Sequence, residues 1–186
     1  MERKFKNLQI ALSAMVILAF LAMPFTTYAQ AGKANFAGSW TYNAEKSQAG
    51  QPQGQPPQGA GQGQGQRGGF GGGNMVAKQE ANLLTVERTR TGQDGQATTT
   101  SLKYTLDGKE SVNPSQMGDS KSVATWSADG KTLTIVTNRT FERDGQTTTM
   151  KTTEEWSLTS PTALTIKSTR TSPNGDRVTT AVYDKK

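Results

Sequence analysis

The most constraining feature of this 186-residue chain is a hairpin sequence that occurs three times. Each copy joins a Leu-Thr-Val/Ile run to an Arg-Thr pair and then to an Asp-Gly or Asn-Gly dipeptide, and a Thr-rich run leads from there toward an aromatic residue. The three runs begin at Leu84, Leu133 and Leu164, and the aromatic residues are Tyr104, Trp156 and Tyr183. Asp-Gly and Asn-Gly between β-prone runs are typical of tight hairpins. The repeat therefore predicts an antiparallel sheet that can close into a barrel.

The remaining sequence extends the same pattern. Turn dipeptides such as Asp107-Gly108 and Asp129-Gly130 separate further β-prone runs, and no segment has a helical period. The predicted strands lie near 39–42, 76–80, 83–91, 97–106, 120–127, 132–143, 146–158, 163–171 and 177–183. We expect an all-β, antiparallel up-and-down barrel of about eight or nine strands, because closure removes the exposed edges of an open sheet.

Strand alternation places an arginine of each copy on the same face as its aliphatic pair. Residues i, i+2 and i+6 of a strand share one face, so Leu84, Val86 and Arg90 point the same way. The same spacing groups Arg139 and Arg170 with the aliphatic residues of their own copies. If that face is the barrel interior, three cations point inward near the hairpin tips.

The N-terminus has the build of a secretory signal peptide. Basic residues Arg3, Lys4 and Lys6 precede an apolar run over 8–25, and small residues that suit a signal peptidase follow, with the favoured cleavage after Ala31. The alternative is an uncleaved membrane anchor, because the apolar run approaches the length of a spanning helix. The small residues after the run favour cleavage, and the absence of cysteine argues against a lipid anchor. We therefore expect a periplasmic or extracellular protein with no stable membrane anchor after cleavage.

A compositional break divides the rest of the chain. Residues 48–74 consist almost entirely of Gly, Gln and Pro, which offer too little apolar surface to offset the cost of ordering a backbone, about 1 to 2 kcal/mol per residue. We expect residues 1–31 to form the signal peptide and residues 32–186 a single barrel domain, with 48–74 as a disordered low-complexity insertion. With no cysteine in the sequence, burial and strand pairing must hold this fold without disulfides.

Composition also argues against several function classes. The chain contains no histidine and no cysteine, which removes the usual general base, the thiolate nucleophile and most transition-metal sites. Alternation sends Glu154 and Glu155 to opposite faces, so they cannot act together as a catalytic pair. The match to a dinucleotide fingerprint over 63–68 has no strand before it and no helix after it. The few positive charges that remain after removal of the signal peptide are spread rather than clustered. We expect no enzymatic activity, no cofactor, no metal and no nucleic-acid partner.

One short motif resembles a known family. Gly38-Ser39-Trp40 matches the G-x-W that opens the first strand of the lipocalin and calycin superfamily, and the chain looks most like uncharacterised lipocalin-like proteins that bacteria export. The resemblance implies a β-barrel that binds small hydrophobic ligands, with Trp40 packed across one end. It also implies a cation from late in the chain over that tryptophan, for which Arg170 and Arg177 are both possible counterparts.

These observations give two candidate functions. In the first, the barrel binds a small hydrophobic or amphipathic molecule, such as a fatty-acid-like anion whose carboxylate meets guanidinium groups. Its candidate lining residues are Arg90, Arg139, Arg170, Tyr104, Trp126, Glu154, Trp156 and Tyr183, and Glu154 could pair with one of the arginines. In the second, a solid barrel serves a structural or interaction role in the cell envelope. The arginines would then lie at the barrel mouth, or on an external face beside Glu87 or Glu142.

Overall fold

The fold was derived from a computed structural model that describes residues 32–48, 73–92, 95–115, 118–143, 145–171 and 175–186. The predicted signal peptide and residues 49–72 of the predicted insertion lie outside the described residues. So do some residues at the hairpin tips, including Asp94, Asp144 and Asn174. In the described ranges, no helix is long and apolar enough to cross a membrane.

Ten antiparallel β-strands make up the described fold. They are β1 (Gly38–Gln48), β2 (Asn74–Glu80), β3 (Leu83–Thr91), β4 (Ala97–Thr105), β5 (Glu110–Asn113), β6 (Ser120–Trp126), β7 (Thr132–Arg143), β8 (Gln146–Ser160), β9 (Ala163–Thr171) and β10 (Arg177–Lys185). The all-β antiparallel architecture is confirmed, and β3, β7 and β9 have the predicted bounds. The sheet has ten strands where about eight or nine were expected, and the short strand β5 is the one that the sequence did not predict.

The strands form one continuous sheet that curls into a nearly closed barrel. Their order is β4-β3-β2-β1-β10-β9-β8-β7-β6-β5, so β4 and β5 are the two outer strands of the sheet. Hydrogen bonds from side chains of β5 to the backbone of β4 connect these two edge strands. The amide of Asn113 accepts a hydrogen bond from the Lys103 N–H (2.8 Å) and donates one to the Lys103 carbonyl (2.9 Å). The Ser111 hydroxyl accepts from the Thr105 N–H (2.8 Å).

The N-terminal segment closes one end of the barrel. The buried Gln79 side chain accepts a hydrogen bond from the Phe36 N–H and donates one to the Ala34 carbonyl, each 3.0 Å long. The Ala34 N–H also donates to the Gly130 carbonyl (2.8 Å). A Cβ at Gly130 would collide with the Gly32 carbonyl, so a residue without a side chain is needed there. We call this the closed end.

The three repeated hairpins turn at the opposite end. β3–β4, β7–β8 and β9–β10 are joined there, and β1 ends and β2 begins there, so the chain enters and leaves residues 49–72 at this end. Arg90, Arg139 and Arg170 lie on the strands that approach these turns. We call this the arginine end.

The repeated aliphatic pairs face the interior. Leu84, Leu133 and Leu164 are fully buried, as are the residues two positions later in the first two copies, and Ile166 is 3% exposed. Lys78 pairs with Glu87 across β2 and β3 on the outer surface (3.8 Å). The alternative of an external arginine face beside Glu87 is therefore wrong, because Glu87 has the opposite strand parity to Arg90.

Candidate functional site

A buried ion pair crosses the interior of the barrel. Arg88 on β3 meets Glu154 on β8, five strands away in the sheet, with 3.3 Å between Nη2 and Oε2. The two side chains are only 11% and 10% exposed. The Trp156 indole N–H donates to Glu154 Oε2 (3.0 Å), and the Arg88 guanidinium lies 5.7 Å from the centre of the Trp156 ring. We call the Arg88–Glu154 pair the crossbar, since it joins opposite walls.

Alternation and register explain why the two charges meet. Arg88 is four residues after Leu84 on β3, so it shares the inward face, and Glu154 lies opposite Ile135 of β7 on the same inward row. Burial disfavours the charge of Arg88, but the Glu154 carboxylate, with Tyr183 and Tyr104, raises the pKa of Arg88 above its ordinary value. Arg88 therefore keeps its positive charge inside the barrel.

Two tyrosines flank the crossbar. Burial raises the pKa of Tyr104 well above its usual range, and the Glu154 carboxylate adds to the rise while Arg88 and Arg139 oppose it. Burial likewise raises the pKa of Tyr183, against the attraction of Arg88. Both phenols therefore stay protonated at neutral pH, and they face the interior charges as neutral hydroxyl groups.

The three predicted arginines lie on the arginine-end side of the crossbar. Arg90 is two residues beyond Arg88 on β3, and it is partly buried. Burial, and then repulsion from Arg88, lower the pKa of Arg90 from its ordinary value. On the opposite wall, Arg139 lies opposite Met150, and Arg170 lies opposite Thr152, so the two arginines flank β8 from either side. The structure thus places all three on the inward face.

Trp126 and Trp40 lie toward the closed end. The Trp126 ring stacks on Phe36 with 5.7 Å between centroids, and the Lys33 ammonium lies over it. Trp40 is 1% exposed, and its indole N–H donates to the Phe36 carbonyl (2.9 Å). The cation over Trp40 is Lys185, 5.5 Å from the ring centre, so the expectation of Arg170 or Arg177 there is wrong.

The structure adds one site residue that the sequence analysis missed. The sequence predicted that Glu154 could pair with Arg90, Arg139 or Arg170, and the structure pairs it with Arg88 instead. Arg88 shares the inward face with Leu84, Val86 and Arg90, so strand parity alone would have identified it. The equivalent positions in the other two copies are Thr137 and Ser168, which is why a comparison of the repeats passed over it.

Arginine side chains dominate the charge of the candidate site. Among the described side chains, Arg88, Arg90, Arg139 and Arg170 lie on the same inward face as the Glu154 carboxylate. Arg177 lies on the same face at the rim and is exposed. Within the described ranges, no three acidic side chains gather in a way that would hold a metal ion. Guanidinium groups that converge in this way suit carboxylate or phosphate oxygens.

Comparisons with known proteins leave the family open. No protein family and no curated protein matches this sequence. Among solved structures, the chain is similar to zebrafish ileal bile acid-binding protein, whose structure was determined with cholic acid bound. The similarity has a TM-score of 0.40 and 20% identity, and it covers 61% of this chain and 72% of that one. A similarity of this size assigns neither a family nor a ligand, so the barrel architecture is established by its own strand order and register.

Proposed function

We propose that this chain is an exported, non-enzymatic binding protein of lipocalin-like architecture that holds a small amphipathic anion, such as a fatty acid, at the arginine end of its barrel. The observation that carries the proposal is the set of arginines on the inward face, where Arg90, Arg139 and Arg170 lie beyond the buried Arg88–Glu154 pair. Export rests on the signal-like N-terminal sequence.

The position of the crossbar supports an anion rather than a neutral ligand. Glu154 pairs with Arg88, and Arg90, Arg139 and Arg170 lie nearer the arginine end on the same inward face. Guanidinium groups bind carboxylate and phosphate oxygens through charge-assisted hydrogen bonds. An anionic ligand that entered from this end would therefore meet arginine side chains first.

A second function is favoured by the closed end. Phe36 is fully buried and contacts Trp126 and Trp156, with ring centroids 5.7 and 5.8 Å apart, so the apolar half of the barrel is filled by the protein's own side chains. A barrel that is equally filled at the other end would be a structural or interaction protein of the cell envelope. The two functions differ in whether any ligand binds.

Displacement of a fluorescent fatty acid distinguishes the two functions. We expect saturable binding to protein purified after expression of the full chain. Arg139→Ala should weaken it by about tenfold or more, since one hydrogen bond to a charged group contributes about 1.5 to 3 kcal/mol. Lys151→Ala is the matched control, because Lys151 is an exposed cation on the outer face of the neighbouring strand, and it should leave the affinity unchanged. Absence of binding across chain lengths would reject the proposal and support the solid barrel.

A further inference from the structure

The half of β4 nearest the arginine end has a neighbouring strand on one side only. Residues 97–101 pair with β3, and on the opposite side the side-chain hydrogen bonds from β5 reach only Lys103 and Thr105. All five residues are exposed, although alternation directs two of them, Thr98 and Thr100, toward the barrel interior. In this part of the described sheet, the backbone N–H and C=O groups that point away from β3 are therefore open to another strand. We call residues 97–101 the free edge.

The free edge lacks the features that usually prevent strands from pairing between molecules. Edge strands are commonly protected by lysine, by proline or by a bulge. The free edge has the sequence Ala-Thr-Thr-Thr-Ser, without charge or proline, and its register with β3 is regular throughout. The nearest lysine, Lys103, lies where β5 covers the strand. An exposed, regular and uncharged edge that is rich in β-branched residues is a template for a further strand.

The free edge is complementary to a second copy of itself. In an antiparallel pair with its two-fold axis at Thr99, the five positions oppose one another in reverse order, so each contact joins alanine, threonine or serine. The same pairing of threonines already occurs within the sheet, where the hydroxyl oxygens of Thr89 and Thr99 are 2.9 Å apart. The chain as a whole is basic, with a net charge of +6, so two copies repel each other least along an edge without charge.

We propose that two copies of this chain associate through their free edges, which pair antiparallel about Thr99 and join the two sheets into one. The pairing extends the row of threonine hydroxyls from Thr89 and Thr99 of one copy to the same residues of the other. One strand of five residues buries less surface than the roughly 1,200 Å² of a stable interface, so the dimer should be weak and concentration-dependent. The association does not depend on ligand binding.

Sedimentation equilibrium of the unaltered protein, purified after expression of the full chain, measures the association directly. Between about 10 µM and 1 mM, the mean mass should rise from that of a monomer toward that of a dimer, because a small interface gives a dissociation constant in this range. A monomer at every concentration would overturn the proposal.

Charges introduced at the two-fold position locate the interface. Thr99→Lys places two lysines opposite each other in the pair and should weaken association about tenfold or more, and Thr99→Glu should do the same. An equimolar mixture of the two variants should associate at least as strongly as the unaltered protein, because opposite charges then face each other. Thr125→Lys is the matched control, since Thr125 is exposed on the outer face of β6 near the closed end, and it should leave association unchanged.

Thermal unfolding followed by circular dichroism checks that each variant is folded, and the concentration series on the unaltered protein stands even if a variant is not. If Thr99→Lys associates as strongly as the unaltered protein, the copies meet at another surface and the proposal is wrong. A mixture of Thr99→Lys and Thr99→Glu that remains monomeric would also overturn it.

Discussion

Removal of the crossbar carboxylate should destabilise the barrel strongly. Glu154→Gln keeps the size of the side chain but removes the negative charge that faces Arg88. The loss is costly because both side chains are about nine-tenths buried. Loss of one partner of a buried ion pair typically costs about 3 to 5 kcal/mol. The amide can still accept a hydrogen bond, so we expect a loss near the lower end, about 3 kcal/mol. That is a large share of the stability of a typical domain, about 5 to 15 kcal/mol.

The neighbouring residue provides a matched control. Glu155 lies on the same strand, and its carboxylate is 3.3 Å from the Lys167 ammonium, the same separation as in the crossbar. Its side chain is 45% exposed on the outer face, however, against 10% for Glu154. An exposed pair contributes about 0.2 to 1 kcal/mol, so Glu155→Gln should lower the free energy of unfolding by no more than that.

Urea unfolding followed by tryptophan fluorescence measures both variants. Arg88→Met added to Glu154→Gln should recover most of the lost stability, because a linear apolar side chain replaces a buried charge. If Glu154→Gln costs no more than Glu155→Gln, burial does not set the energy of the crossbar and the reasoning is refuted. Failure of the double variant to recover stability would show that the loss comes from packing rather than charge.

Three further predictions concern the side-chain hydrogen bonds between β4 and β5, the buried Tyr104 and the closed end. Asn113→Ala should lower the free energy of unfolding by about 2 kcal/mol, because it removes both hydrogen bonds to β4. Asn138→Ala, at an exposed position on the outer face, is the control and should change the free energy of unfolding by less than about 0.5 kcal/mol. Urea unfolding measures both variants, and equal losses would contradict the prediction. Because the folded state raises the pKa of Tyr104, it retains a proton that the unfolded chain loses, so stability should fall as pH rises above about 10. Tyr104→Phe should reduce that alkaline slope in melting measurements, and an unchanged slope would exclude Tyr104 as its source. Gln79→Ala should speed hydrogen exchange at the Phe36 amide, measured by nuclear magnetic resonance, and unaltered exchange would show that other contacts hold the N-terminal segment.

The repeated hairpins could be predicted because several local signals agree in them. β3, β7 and β9 combine strict alternation with glycine-containing turns, and their ends were placed correctly. β5 was missed because its four residues, Glu110–Asn113, carry no aliphatic alternation. Its role depends on an amide and a hydroxyl that meet β4, a contact that local sequence does not encode.

The sequence indicates which face of the sheet the arginine side chains occupy, but not which charged side chains meet inside the barrel. Strand parity correctly placed Arg90, Arg139 and Arg170 on the same face as the aliphatic residues. The meeting of Arg88 with Glu154 joins positions 66 residues apart on opposite walls, and only the curvature and closure of the sheet bring them together. Alternation within a strand defines a face but not what lies across the barrel from it.

The closed end has a practical consequence for how this protein can be handled. Lys186 donates its backbone N–H to the Ser39 carbonyl (2.9 Å), and Ala34 is held at Gly130, so the C-terminal residue and the start of the described chain lie on the same side of the molecule. A biotin or a surface tether attached at Lys186 would therefore leave the arginine end directed away from a solid support. A biosensor immobilised in that orientation would present Arg90, Arg139 and Arg170 to the flowing analyte.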